Sequence, residues 1–594
     1  MRPHGAGGLL ACSARIALAV VALSSLLGCE RTPPAEVTPR TVAKGPVVQP
    51  ALEAHTAEFE RRVYTVTDGV SQAVGFGLAN SIMVEGDACV FIVDVMASIE
   101  SARAVKAEFD KITSKPVKAL IYTHNHPDHV FGGPGFVPDG AVDVYAHETT
   151  RGQIERVVSV IRPIIERRSD RMFGTFLPHD GPDRIVNSGI GPFLEAAHGG
   201  GTPGVIWPNH TLRDALDAEI CGVRVQMVHA PGETDDQIFV WLPDKRVLLP
   251  GDNVYKAFPN LYTIRGTAYR DVAGWVRSLD RMRALRPEHL APSHTRPVSG
   301  ADEIMEILTA YRDAIQFVHD QTIHGMNEGL TADELVERVK LPPHLGDHPY
   351  LQEFYGTVAW SVRSIFTGYL GWFDGDAATL SPAPPEERSR GYIELAGGAG
   401  NVLAAARRAI DTGRYAWAAE LTTHVLRVQP EASEAKALKA QALRALGQRS
   451  ISPNGRNFYL TQALELEGAV KVRESVPDPK VADFVRSFPI ASVLASMPVH
   501  LDPDKSADVD TVMAFSFPDC GEQYSLHVRR GIAEFQQGRP PHADLEIRAD
   551  SKTWIEVVIG LRSLPAAMAT GAVEVEGGFT KVPAVLRFLS MFRS

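Results

Sequence analysis

Residues 117–129 read VKALIYTHNHPDH, an apolar run that breaks into a loop carrying His124, His126, Asp128 and His129, with Gly132 and Gly133 just behind. Val, Ala, Leu, Ile and Tyr in a short continuous stretch ending at a turn predict a buried strand. Imidazole and carboxylate are ligands that zinc takes from protein. In a strand-to-loop turn His124 and His126 converge on one metal while Asp128 and His129 are directed to a second. The simpler alternative is a polar surface loop whose histidines cap the next helix. Three imidazoles and a carboxylate gathered at one strand end argue against it.

Working outward, SIMVEG (81–86) and ACVFIVDV (88–95) read as strands, SARAVKAEFDKI (101–112) as a helix, and VKALIYTH as the next strand. Strand, helix, strand alternation predicts an α/β layered fold, in which polar residues at strand ends build a site from distant segments. A second series repeats the pattern: VRVQMVHAPGE (223–233), the hairpin-like QIFVWLPDKRVLLPGD (237–252), a helix near 272–285, and HLAPSH (289–294). Glu233, Asp252 and His294 each follow a strand-like run. Taken singly they are ordinary turn or cap residues. Joined to the 124–129 loop they complete two metal sites. Asp94, ending FIVDV, is open to two readings, an orienter of a metal histidine or a strand-end cap.

With 594 residues, 44% hydrophobic and 22% charged, the chain is long enough for several globular domains, and its net charge of −11 lacks the footprint of a nucleic-acid binder. The start, with Arg2, Arg15 and the apolar run IALAVVALSSLL (16–27), reads as an export signal too short to span a bilayer comfortably. Residues 26–29, LLGC, resemble a bacterial lipobox, which implies Cys29 as a lipid anchor and 1–29 as a lipoprotein signal peptide; Leu27, larger than the residue usual before the Gly, leaves open cleavage by the ordinary signal peptidase to a soluble exported protein. A Pro-rich linker over 30–51 then tethers a folded part beginning near Leu52. The expected location is the periplasm or cell envelope. Of the remaining cysteines, Cys89, Cys221 and Cys520, the first two lie beside strand-like runs, and no C-x-x-C occurs. Buried free thiols are expected.

Beyond Ala301 helical periodicity takes over, broken by Pro342-Pro343 and the linker SPAPPEERSR (381–390). The stretch 415–447 has the texture of one tetratricopeptide-like helix pair, with small residues at Ala418, Ala419, Ala437 and Ala440 and Pro430 at the turn. From about Phe488, alternating runs such as DTVMAFSF (510–517) and HADLEIRAD (542–550) predict a compact α+β domain. The expected division is a catalytic domain over 52–320, an α-helical domain over 321–480 and a C-terminal domain over 484–594.

The 124–129 loop with Glu233, Asp252 and His294 resembles the metallo-β-lactamase superfamily. Glu233, where most members carry His, together with NLYTIRGTAYRD (260–271), GWFDGD (371–376), AAELTTHVL (418–426) and the C-terminal region, resembles the superfamily's zinc alkylsulfatase branch. The resemblance implies an αββα sandwich followed by an all-α dimerisation domain and a sterol-carrier-protein-like α+β domain offering an apolar pocket. It implies two Zn²⁺ per chain: His124, His126 and Glu233 on one, Asp128, His129 and His294 on the other, and Asp252 between them. It implies a homodimer and hydrolysis of alkyl sulfates such as dodecyl sulfate. Asp252 replaces the Glu usual in the branch, and Lys256 and Pro259 replace its usual Thr and His.

A sulfate ester presents negative charge, which the guanidinium forks of Arg265 and Arg270 suit unless they are surface or ion-paired arginines; Asn253 and Asn260 are candidate further sulfate contacts, with a turn-forming Asn the simpler reading of each. Asp128, Asp252 and Arg265 are the expected catalytic groups. The metal site admits Mn or Fe as well as Zn, and its fold also serves phosphodiester and β-lactam hydrolysis. A non-catalytic lipid-binding lipoprotein is the non-enzymatic alternative. G-x-S-x-G, a Walker loop and C-x-P-x-R are all absent from the sequence.

Overall fold

A computed structural model describes residues 47–194, 200–472 and 484–592. The export signal, Cys29 and linker residues 30–46 lie outside them. The described chain packs ahead of position 52: Val48 and Leu52 are buried, and a helix opens at Pro50.

Seven strands form the first sheet in chain order: Arg62–Thr67, Val70–Val74, Ser81–Glu85, Val90–Val93, Val117–Ile121, Asp143–His147 and His210–Leu212. The first four pair antiparallel and the later neighbours parallel. The second sheet has six strands, with Val223–His229, Ile238–Leu242 and Val247–Leu249 at its centre. Side chains alternate across each strand, which dictates the layering. Phe91, Val93, Ala119 and Ile121 face Val225, Met227, Ile238 and Val240 between the sheets. Ile92 and Leu120 point the other way, onto Ala102, Val105 and Phe109 of the helix Ile99–Phe109. Phe239, Trp241 and Leu248 likewise meet the helices Val272–Ala284 and Ala301–Asn327. Helix, sheet, sheet, helix is the resulting order.

The helix Ala301–Asn327 runs unbroken across position 320 and packs in one core with Trp275 and Leu279 of the helix before it. Further helices include Ala399–Asp411, Tyr415–Val428, Ser433–Arg449 and Pro453–Leu466. The middle two are the pair expected around Pro430. The C-terminal region is a five-stranded sheet backed by helices, among them Ser551–Val558 and Val582–Ser590. It docks directly behind the 124–129 loop: Phe131 meets Phe484 at 4.6 Å, and Trp207 Nε1 donates to the Ser487 carbonyl at 2.9 Å. Among the described residues no helix is long and apolar enough to cross a membrane.

The cysteine expectation is corrected. Cys89 and Cys221 are not free thiols but form a disulfide with Cα atoms 5.3 Å apart, while Cys520 is free and exposed. Cys221 occupies the tight turn between the strands Ala215–Ile220 and Val223–His229, with φ 56°, and that turn lies against the hairpin preceding Val90. The approach is close enough to require Gly86, where a Cβ would stand 2.0 Å from the Cys221 carbonyl oxygen. The bond therefore staples one sheet to the other at the end of the sandwich.

Candidate metal centre

The strands of the two sheets end side by side, and Ile238 N donates to the Thr123 carbonyl at 2.8 Å where they meet. Beyond Thr123 the chain turns through His124, Asn125 and His126 into a short helix, Pro127–Val130, whose proline supplies a preset φ at the first turn. The 3₁₀ turn Gly251–Asn253 after the strand Val247–Leu249 and the loop holding His294 arrive from the second sheet.

Two clusters result. Ligand atoms of His124, His126 and Asp252 lie within 4.8 Å of one another, as do those of Asp128, His129 and His294. Asp252 stands between the clusters, with Oδ2 3.6 Å from His124 Nε2 and 3.1 Å from His294 Nε2, and Oδ1 3.4 Å from His129 Nε2. His129 Nε2 and Asp252 Oδ1 are buried and have no hydrogen-bond partner. A buried imidazole nitrogen and carboxylate oxygen facing each other unpaired suit a cation between them, since buried polar atoms otherwise find partners.

Three histidines are aimed by what holds their far nitrogens. His129 Nδ1 lies 2.8 Å from Asp94 Oδ2, and His294 Nδ1 lies 2.9 Å from the Leu78 carbonyl, so each turns Nε2 inward. His124 Nδ1 lies 3.0 Å from Thr123 Oγ1, which donates onward to Asp94 Oδ2 at 3.0 Å. Asp94 also accepts from Thr123 N at 2.9 Å and Ser293 Oγ at 2.6 Å. Of the two readings left open for Asp94, the orienter is the one its contacts support. Its φ of 58° is a conformation that Asp tolerates better than most residues.

Burial drives His124 and His126 well below the ordinary imidazole pKa, leaving them neutral as a metal ligand must be. Burial would lower His129 too, but Asp252, Asp128 and Asp94 outweigh it and carry it well above the ordinary value. His294 is raised in the same way, chiefly by Asp252. Burial would raise Asp252, yet the imidazoles of His129, His294 and His124 hold it well below the usual carboxylate range.

Glu233 lies outside the two clusters. Its carboxylate is shared between Arg270 Nη1 at 3.0 Å and Tyr255 OH at 3.1 Å, all three groups buried. Arg270 Nε and Nη2, and both ends of the Asn260 carboxamide, are buried without partners. Arg265 reaches the clusters from the same loop, with Nη2 3.1 Å from His126 Nε2. Of the two readings of Asn253, its contacts fit the turn-forming one: its Oδ1 accepts from Glu233 N at 3.2 Å and its Nδ2 donates to the Ala230 carbonyl at 2.7 Å. Its amide is occupied in fixing the turn that presents Glu233. Lys256 faces away, to Glu58 at 2.8 Å.

Two residues escaped the sequence reading. Tyr255 sits between Glu233 and the backbone N of Asn260, which donates to its hydroxyl at 3.0 Å. Asp236 accepts from Asn125 Nδ2 at 2.6 Å and Thr150 Oγ1 at 2.7 Å, bracing the ligand loop. Tyr255 lies in NVYKAFPN, a segment read only for its departures at 256 and 259, and Asp236 carries no mark beyond its neighbour Asp235.

Paired His/Asp clusters at the joint of an αββα sandwich define a metallo-β-lactamase-fold hydrolase. Comparison with known proteins agrees: residues 74–294 match the metallo-beta-lactamase superfamily, 331–469 the alkyl sulfatase dimerisation family and 479–594 the alkyl sulfatase C-terminal family. A linear primary-alkylsulfatase of Pseudomonas sp. (strain ATCC 19151) is 42% identical over 521 residues, 85% of this chain and 97% of that one. An (R)-specific secondary-alkylsulfatase of Pseudomonas sp. is 30% identical over 89% of this chain and 81% of its own. The solved structure of the stereoselective inverting sec-alkylsulfatase Pisa1 from Pseudomonas sp. superposes with a TM-score of 0.85 at 28% identity, covering 92% of this chain and 87% of that one. The chain belongs to the alkylsulfatases, hydrolases of sulfuric esters.

Proposed function

We propose that this protein is an exported binuclear zinc enzyme that hydrolyses alkyl sulfate esters, such as dodecyl sulfate, to an alcohol and inorganic sulfate. The observation that carries the reading is Asp252, one of the three ligands of the first cluster, reaching His129 and His294 of the second, with Arg265 at the edge. His124, His126 and Asp252 would hold one cation, and Asp128, His129 and His294 the other. Glu233, held by Arg270 and Tyr255 through one bond on each oxygen, keeps lone pairs with which it could join the first set. Bound there, the cations supply Lewis acidity that brings water ionisation toward neutral pH and draws charge from the ester. Arg265, and the unpaired face of Arg270 with the Asn260 carboxamide, bind and orient the sulfate oxygens. Asp94 and Asp236 hold the ligand loop in place.

Export has independent support in the Cys89–Cys221 disulfide, a bond that persists in oxidising compartments. The apolar run ending in Cys29 supports a signal peptide and lipid anchor. The dimerisation match supports a homodimer. In a test of the site, Asp128→Ala and His294→Ala should each lose zinc and sulfate release together while the far-ultraviolet circular dichroism is retained. Full activity in either variant overturns the assignment.

A further inference from the structure

The loop that carries Arg265 and Arg270 does not end at the metal centre; it surfaces at Tyr269, which is 37% exposed and adjoins the buried Arg270. The Tyr269 ring lies on the outer face of the helix Val358–Leu370, so closely that a Cβ on Gly368 would fall 2.2 Å from a ring carbon. The inner face of that helix is fixed: Val362, Ile365 and Phe366 are buried against the core beneath the second sheet. Its outer face is a different matter. Tyr369 and Leu370 are about half exposed, and Trp372, past the helix end at Gly371, is 72% exposed.

Tyr269 and Tyr369 meet edge to face at 6.2 Å, which makes one aromatic patch from two distant segments. The Tyr369 hydroxyl is tied to His319 Nε2 at 2.8 Å, fixing the ring's position. Tryptophan and tyrosine are enriched among the anchors of protein interfaces, and here the exposed tyrosine pair is followed closely in sequence by the exposed Leu370 and Trp372. The patch lies mostly within the segment 331–469 that matches the alkyl sulfatase dimerisation family, so its occupant is a second copy of this chain.

We propose that this patch is a dimer contact and that it controls substrate binding, because Tyr269 is at once part of the contact and the neighbour of Arg270. Burial of the patch by the partner clamps Tyr269 on Gly368 and steadies the segment that presents Arg265 and Arg270. The dimer thereby sets the affinity for the sulfate group rather than merely carrying two independent sites. This rests on the alkylsulfatase reading for the identity of the bound group, but its first readout does not.

The test uses Trp372→Asp and Leu370→Asp in the full mature chain, each placing a charge at a half-exposed or exposed position without touching the core. Sedimentation velocity reports the oligomer, hydrogen exchange reports residues 262–271, and KM and kcat for dodecyl sulfate are measured at verified metal content. The expected result is a dimer dissociation constant raised on the order of thirtyfold. Exchange over 262–271 should be faster in the resulting monomer, and KM raised severalfold with kcat little changed. A wild-type chain that is monomeric, or variants that remain dimeric at low micromolar concentration, overturn the contact. Monomers with unchanged exchange and KM overturn the coupling. If the wild type turns over no sulfate ester, the functional reading fails while the sedimentation and exchange results still decide this proposal.

Discussion

Asp94 Oδ2 stands 2.8 Å from Nδ1 of His129 and, through Thr123 Oγ1, also governs His124. One buried carboxylate thus aims a histidine in each cluster. Asp94→Asn keeps a residue that tolerates φ 58° but turns an acceptor for several donors into a mixed group. We expect zinc affinity to fall about tenfold to a hundredfold, the range found when such supporting partners are removed, checked by competition with a chromophoric chelator. An unchanged affinity would make Asp94 a strand-end cap and nothing more.

Arg265 and Arg270 should fail differently. Arg265 is bonded to His126 and to no carboxylate in the site, so Arg265→Ala is expected to raise KM for a sulfate ester on the order of tenfold to a hundredfold with metal content unchanged. Arg270 is the buried partner of Glu233. Its removal strands a carboxylate, and Arg270→Ala should lower folding stability by about 3–5 kcal/mol. Urea denaturation of both variants separates the two roles.

His55 gives the protein an acid-side weakness. Burial pushes its pKa from 6.5 to about 4, against the raising effect of the Gly189 carbonyl that its Nε2 bonds at 2.8 Å. Above pH 6.5 folded and unfolded chains both carry it neutral, and its contribution is intact. Between pH 6.5 and about 4 the unfolded chain takes up a proton that the folded one refuses, so stability falls as pH falls, by roughly 3 kcal/mol in full. In denaturation series at pH 7 and pH 4.5, His55→Gln should show a smaller loss between the two than the wild type does.

The metal loop was legible because its chemistry is local: four candidate ligands in one turn after an apolar strand admit few other readings. Glu233, Asp252 and His294 were legible as strand-end polar groups once a layered fold was assumed. The disulfide was not, since Cys89 and Cys221 are 132 residues apart and meet only because two hairpins from different sheets abut. A loop of that size makes the bond worth about 5 kcal/mol by chain entropy, a large share of a domain's stability. A turn role for Asn253 was legible from its residue type, but its partners were not. Its sequence position beside Asp252 says nothing of the Ala230 carbonyl and Glu233 N that claim its amide from another strand.

This metal centre is expected to hydrolyse alkyl sulfates. Free sulfate released from dodecyl sulfate by the purified chain beginning after Cys29, with a chelator and then with zinc restored, tests it most directly. The expected result is release that the chelator abolishes and zinc returns. A folded, zinc-loaded sample that releases no sulfate, or one whose release the chelator leaves untouched, would contradict it.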